Sequence, residues 1–356
     1  MPRRTLISFL LALSAAAACA RPSRAPVTPL AACTFANPVV ADGADPWVVR
    51  KDGHYYFVQS SGRAIHVYRT DTLTKLARNG VKVWAAPDTG WNRDNIWAPE
   101  LHYLRGHWYI YYAGGQPGRP FLTQHAGVLE SVTDDPQGAW VDRGQLYTGD
   151  SIATRAANRW AIDLTVAELG GQLYAVWSGW ERDARTDSTP QHLYIARMTN
   201  PWTIATNRVE IVSPTASYEV GTRLNLAEGP EFLERGPNTF VVYSTRESWL
   251  PDYRLAMIRL TSPTADPLDP ASWVKVGPVF TRTATVYGPG HASFTTSEDG
   301  SESWIVYHVK NDTLPNWKRR VQMQRFSWRA DGTPDFGTPV DAGVPLRVPS
   351  GECPRP

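Results

Sequence analysis

The sequence predicts an all-β protein, a five-bladed β-propeller of four-stranded antiparallel blades. Three observations predict it. First, a short polar-headed motif recurs five times: Asp45-Pro46-Trp47-Val48-Val49, Ala98-Pro99-Glu100-Leu101-His102, Ile162-Asp163-Leu164-Thr165-Val166, Ala227-Glu228-Gly229-Pro230-Glu231 and Gly288-Pro289-Gly290-His291-Ala292. Its focal residues, Asp45, Glu100, Asp163, Glu228 and His291, are 55, 63, 65 and 63 positions apart. Second, each motif is followed by a turn and an aromatic, β-branched run of strand character. Third, Trp84, Trp140, Trp202 and Trp273 each precede a last short strand in their units, with Trp328 at a less similar place in the fifth. Short strands repeating at this period mean radial repetition, and a propeller leaves only short, protected sheet edges.

Each blade can be justified in order. Blade one opens at Asp45, turns at Lys51-Asp52-Gly53-His54 and continues with Tyr55-Tyr56-Phe57-Val58 and Ile65-His66-Val67-Tyr68. Blade two opens on Glu100, turns at Arg105-Gly106, runs through Trp108-Tyr109-Ile110-Tyr111-Tyr112 and carries a glycine-rich loop over 113–118. Blade three opens at Asp163, turns at Gly170-Gly171 and has a polar loop over 180–191, long enough to reach a rim. Blade four opens at Glu228 and turns near Gly236-Pro237-Asn238. Blade five opens at His291 and turns at Asp299-Gly300-Ser301; residues 311–318 interrupt it as a second rim loop.

In a propeller the first strand of every blade lines the central channel, so the five focal residues are expected to meet at one of its ends. Singly they say little, since Asp-Pro and Glu-Gly-Pro start turns anywhere. Repeated at equivalent points of five inner strands, they predict carboxyls in one confined space. Mutual repulsion and burial then drive their pKa values apart, leaving one protonated as an acid and another ionised as a base. Glycoside hydrolysis uses such a pair, and inversion needs carboxyls about 6.5–9.5 Å apart with water between base and sugar.

Composition agrees. The 356 residues are 42% apolar and 20% charged, with a formal net charge of +2 and no long run of one sign, unlike a nucleic-acid binder. Fifteen Trp and fifteen Tyr mostly serve strands, and a few at a polar mouth would stack on sugar rings. Residues 1–19 read as an export signal: Arg3-Arg4, then an apolar run ending in small residues. Ser14-Ala15-Ala16-Ala17-Ala18-Cys19 resembles a lipoprotein signal, so lipidation at Cys19, the one expected route to a membrane, and simple cleavage nearby both stay open. Residues 20–32 read as a flexible tether, and 33–356 as one propeller domain. Cys33 and Cys353 flank the repeats where a closed ring brings its ends together, and in an exported chain they are expected to form a disulfide.

Together the five motifs, with Leu268-Asp269-Pro270-Ala271-Ser272-Trp273 and Asp331-Gly332-Thr333-Pro334-Asp335-Phe336-Gly337, resemble glycoside hydrolase family 43 over nearly the whole mature chain. The family comprises five-bladed propellers, among them α-L-arabinofuranosidases, arabinanases and β-xylosidases. The resemblance implies an inverting enzyme with Asp45 as general base, Glu228 as general acid and Asp163 raising the pKa of Glu228 and orienting it. It implies an arabinose- or xylose-containing oligo- or polysaccharide as substrate, no required cofactor, and a calcium ion or buried water near His291; a hydrogen-bonded core histidine is the other reading of that residue. Trp97 is the expected wall of the sugar pocket, and Glu100 is expected to support the site from behind. Relatives carry a substrate-contacting Arg where this chain has Gln322, and Arg320, on the same strand face, is expected to substitute. The motif Gly-Pro-Gly-His-Asn of relatives ends here in Ala292. The expected activity is removal of terminal α-L-arabinofuranosyl residues by a monomer, with a β-xylosidase and a non-catalytic carbohydrate-binding propeller as alternatives.

Overall fold

A computed structural model describes residues 1–2 and 33–353. The export signal over 1–19, the tether over 20–32 and the lipidation candidate Cys19 fall, but for residues 1–2, outside the described residues. The chain divides into Met1–Cys33 and Thr34–Pro356, and the second unit holds all the blades.

Blade one orders its strands Trp47–Lys51, His54–Val58, Ala64–Thr70 and Val81–Ala85 from the axis outward. Blade two follows with Asp94–Leu104, His107–Gly115, His125–Ser131 and Trp140–Gln145. Blade three has Ala161–Leu169, Gln172–Gly179 and His192–Asn200; its fourth place is split between Thr203–Ile204 and Val209–Val212, both paired to the third strand. Blade four is Ala227–Arg235, Asn238–Thr245, Arg254–Leu260 and Trp273–Phe280, and blade five is Tyr287–Thr296, Ser303–Lys310, Arg319–Trp328 and Pro334–Asp335.

The second strands explain the aromatic runs. A blade is covered on both faces, so its middle strands need apolar residues at every position rather than at alternate ones. Trp108, Tyr109, Ile110, Tyr111 and Tyr112 are all buried. Tyr109 and Tyr111 pack into the core shared with blade three, whereas Trp108, Ile110 and Tyr112 pack into the core shared with blade one. Blade one repeats the pattern, with Tyr56 and Val58 facing blade two and Tyr55 and Phe57 facing blade five. One apolar core therefore lies at every blade-to-blade seam, including the seam between blades five and one.

Every blade is continuous in sequence, so the ring is not closed by a blade that borrows a strand from each end. Closure comes from other contacts. Thr34–Ala36 pairs antiparallel with Pro345–Arg347, Val40 bridges to Val321, and the Asn37 amide exchanges two hydrogen bonds with the Met323 backbone, at 2.9 and 3.0 Å. Cys33 and Cys353 are both disulfide-bonded.

Candidate active site

The recurring motif is a device for bending inner strands. Asp45, Ala98, Asp163, Gly229 and His291 all have positive φ, between 42° and 55°. In blades two to five the pairing register slips at these points. A bulge of this kind re-aims the side chains around it, which is why bulges gather beside sites. At Gly229 glycine relieves both the left-handed backbone, with φ +55°, and a tight approach, since an added Cβ would sit 3.0 Å from His291 Nδ1.

Counting from the bend sorts the side chains into two tiers. Asp45, Asp163 and His291 occupy the bend itself, and Glu228 immediately precedes it; all four line one pocket of about 490 Å³. Two residues past each bend stand Trp47, Glu100, Thr165, Glu231 and Ser293, all of them buried. Glu100 is thus the counterpart of Glu231 and not of Glu228, which is why it belongs to the lower tier.

Cations and imidazoles surround Asp45. Its Oδ1 lies 3.0 Å from Arg319 Nη1 and 3.4 Å from Nδ1 of both His291 and His308; its Oδ2 accepts a 2.6 Å hydrogen bond from Ser60. Burial pushes its pKa up, but Arg319, His291 and His308 outweigh that, and the carboxyl is held well below the usual range. Glu228 lacks such a partner. Burial, with the Asp45 charge adding, lifts it to about 7 against the pull of the Tyr253 and Ser248 hydroxyls and Arg319. Asp163 is also lifted to about 7, chiefly by burial and by the nearby Glu228 and Asp45, although His291 pulls it down; its Oδ2 accepts a 2.9 Å hydrogen bond from Gly229 N–H. That bond joins blade three to the residue next to Glu228.

Residues 35–334 match the family described as Glycosyl hydrolases family 43. The chain belongs to glycoside hydrolase family 43. It is 36% identical to an extracellular exo-α-(1→5)-L-arabinofuranosidase of Streptomyces avermitilis, over 98% of this chain and 73% of that protein. It is 35% identical to α-L-arabinofuranosidase 43 of Humicola insolens, over 89% of this chain but only 66% of that longer protein. Among solved structures, an α-L-arabinofuranosidase from Lactobacillus brevis superposes with a TM-score of 0.78 at 33% identity, covering 87% of this chain and 98% of that one.

Within this family 43 hydrolase the structure brings together Asp45, Glu228, Asp163, His291 and Trp97, all lining the pocket. It does not bring Arg320 or Gln322 there. Gln322 is fully buried, and Arg320 turns to Asn311 Oδ1 at 3.4 Å. Arg319, on the opposite face of the same strand, reaches the pocket instead. Along a strand one residue changes the face, so Arg319 and not Arg320 faces the pocket. His308 was also missed. It is fully buried, held neutral with its pKa pushed down to about 3 by burial and Arg319, and stacked on Tyr253 at 5.6 Å. Its Nδ1 accepts the Asp45 backbone N–H at 3.3 Å. A histidine within the apolar run Trp304-Ile305-Val306-Tyr307-His308-Val309 was the available clue. Among the described residues, no three His, Cys, Asp or Glu side chains gather as a metal cage.

The hydrolase's pocket is fenced by the loops joining second to third strands. These span 59–63, 116–124, 180–191, 246–253 and 311–318, so blade one has the shortest, with five residues. Phe121 N–H of blade two donates to Asp187 of blade three at 3.1 Å, and Trp160 Nε1–H donates to the Phe121 carbonyl at 2.7 Å. Gln191 of blade three exchanges backbone hydrogen bonds with Asn225 and Ala227 at the entry to blade four. Trp317 of blade five donates to Ser248 of blade four at 3.3 Å, and Asn316 N–H donates to the Trp249 carbonyl. Arg119 of blade two lies 4.5 Å from the ring of Trp317 and 4.7 Å from that of Phe121.

Proposed function

We propose that this chain is an exported, inverting exo-α-L-arabinofuranosidase that removes terminal arabinofuranosyl units from arabinan- or arabinoxylan-type chains. The observation that carries the chemistry is the opposite displacement of two carboxyls in one pocket: Asp45 held down, Glu228 lifted to about 7. At mildly acidic pH Asp45 is ionised and takes a proton from water as the water oxygen bonds to the anomeric carbon. Glu228 is protonated and delivers its proton to the departing glycosidic oxygen as the old bond breaks on the opposite face. Afterwards Asp45 carries a proton and Glu228 a charge, and exchange with solvent resets both. Asp163 supports the acid by anchoring the backbone beside it and by disfavouring a second charge there. The loops that ring the pocket, with Arg119 of blade two against Trp317 of blade five, suit a chain end better than a chain interior. Arabinofuranose is favoured by the activities named for the relatives at 33–36% identity, and export by the relative named extracellular. A calcium ion beside His291 would be held largely through water, with His291 as its protein neighbour.

The test is hydrolysis of paired aryl glycosides, an α-L-arabinofuranoside and a β-D-xylopyranoside, with NMR of the first-formed anomer. Preferential cleavage of the arabinoside with inversion is expected. Preferential xyloside cleavage would keep the mechanism and change the sugar; saturable sugar binding without product would leave a binding propeller.

A further inference from the structure

The fence has one low point. Blade one contributes only residues 59–63 to the rim, whereas the other four blades contribute eight to twelve residues each. On either side of that point stand the loops of blades two and five, and they meet through Arg119 of blade two against Trp317 of blade five. The guanidinium lies between two aromatic rings, Trp317 at 4.5 Å and Phe121 at 4.7 Å. Arg119 has no carboxylate partner among the described residues' ion pairs. A cation held over ring faces attracts both rings and so links the two loops. Both ends are braced. Phe121 meets Trp97 edge-on at 4.8 Å, and Trp317 packs on Trp249 at 5.6 Å.

We infer that the Arg119–Trp317 pair is a crossbar that determines where along a polysaccharide this enzyme cuts. With the crossbar in place, a chain entering the pocket meets a wall above blade one and presents only its terminal sugar to Asp45 and Glu228. Without it, the five-residue loop of blade one leaves an open side, the pocket becomes a cleft, and sugars on both sides of the scissile bond can be accommodated. The selectivity thus resides in a contact between loops and not in the carboxyls. This inference rests on the exo reading given above.

The experiment compares wild type with Arg119→Ala/Trp317→Ala on linear α-(1→5)-L-arabinan, following the fall in viscosity per arabinose released and the sizes of the first products. Wild type is expected to release arabinose with little fall in viscosity. The double variant is expected to yield di- and longer arabino-oligosaccharides among its first products, with a several-fold larger viscosity loss per bond cut. A folded double variant, checked by its thermal melt, that still releases arabinose alone overturns the crossbar. Wild type that itself yields oligosaccharides, or releases nothing, overturns the exo reading and is thereby told apart. Should the double variant fail to fold, Arg119→Gln removes the charge at nearly constant volume, and Arg119→Lys, which keeps a cation, is expected to behave more like wild type. Unchanged products from folded Arg119→Gln would equally overturn the crossbar.

Discussion

Two carboxyl clusters lie on the inner strands, one tier apart, and they behave differently. At the mouth Asp45 is held well below the ordinary range, whereas Asp163 and Glu228 are both lifted to about 7. In the lower tier Glu100 and Glu231 are both raised well above the ordinary glutamate value, by burial in each case and, for Glu100, also by the Glu231 charge. His102 sits 2.9 Å from Glu100, yet burial holds its own pKa down near 3, so it offers a hydrogen bond without a charge. Burial alone moves carboxyls in one direction only. A permanent cation beside one member separates them, and at the mouth that cation is Arg319. On the roles proposed above, the position of one guanidinium distinguishes an acid–base pair from two protonated carboxyls.

Breaking the mouth cluster should give the largest effect. Asp45→Asn or Glu228→Gln should each lower turnover at least about 10²-fold, the usual scale for general acid–base catalysis, with the fold intact by thermal melt. Near wild-type turnover in either would remove that residue from the role given to it.

Arg319→Met would make the mouth resemble the lower tier. A neighbouring Arg typically lowers an Asp by about 1–3 units, so the acidic limb of kcat/KM should move up by about that much. The basic limb, set by protonated Glu228 near pH 7, should stay close to its place, since Arg319 is a lesser influence there. Loss of activity without any shift of the acidic limb would mean that Arg319 serves the sugar and not Asp45.

Glu231→Gln sharpens the comparison from the other side, through stability. Folded Glu100 and Glu231 keep protons that the unfolded chain sheds above the ordinary value of 4.5. Wild-type stability should therefore be fully present below that pH and fall as pH rises toward the elevated folded values. Each carboxyl contributes a slope of at most about 1.4 kcal/mol per pH unit. The variant should show a flatter dependence in urea melts between pH 5 and 7. Parallel curves would show that the lower pair does not store protons.

The blades and the mouth carboxyls were legible because both repeat. Five motifs recurring at similar spacing place Asp45, Asp163, Glu228 and His291, together with Glu100, at equivalent points of inner strands on the residues alone. Glu100 shows where that reading stops. Its spacing matched the others, yet it stands two residues past its bend whereas Glu228 stands one before, and a pattern of residue types does not show where a bulge shifts the pairing. Arg319 was missed for a related reason: Arg320 and Gln322 were judged to share a face, which they do, but the pocket lies on the other. The crossbar was illegible altogether. Arg119 and Trp317 are nearly 200 positions apart in loops without periodicity, and only the closed ring brings them together.

The closure of that ring also bears on when the protein can first work. Asp45 comes from the first blade to be synthesised, whereas Arg319, the cation against it, and His291 and His308, whose ring nitrogens lie beside it, all come from the last. The strand of Thr34–Ala36 waits for Pro345–Arg347, which follows the last blade. A nascent chain that has built four blades still lacks the Arg319 guanidinium beside Asp45. On the roles proposed above, catalysis therefore waits for the fifth blade.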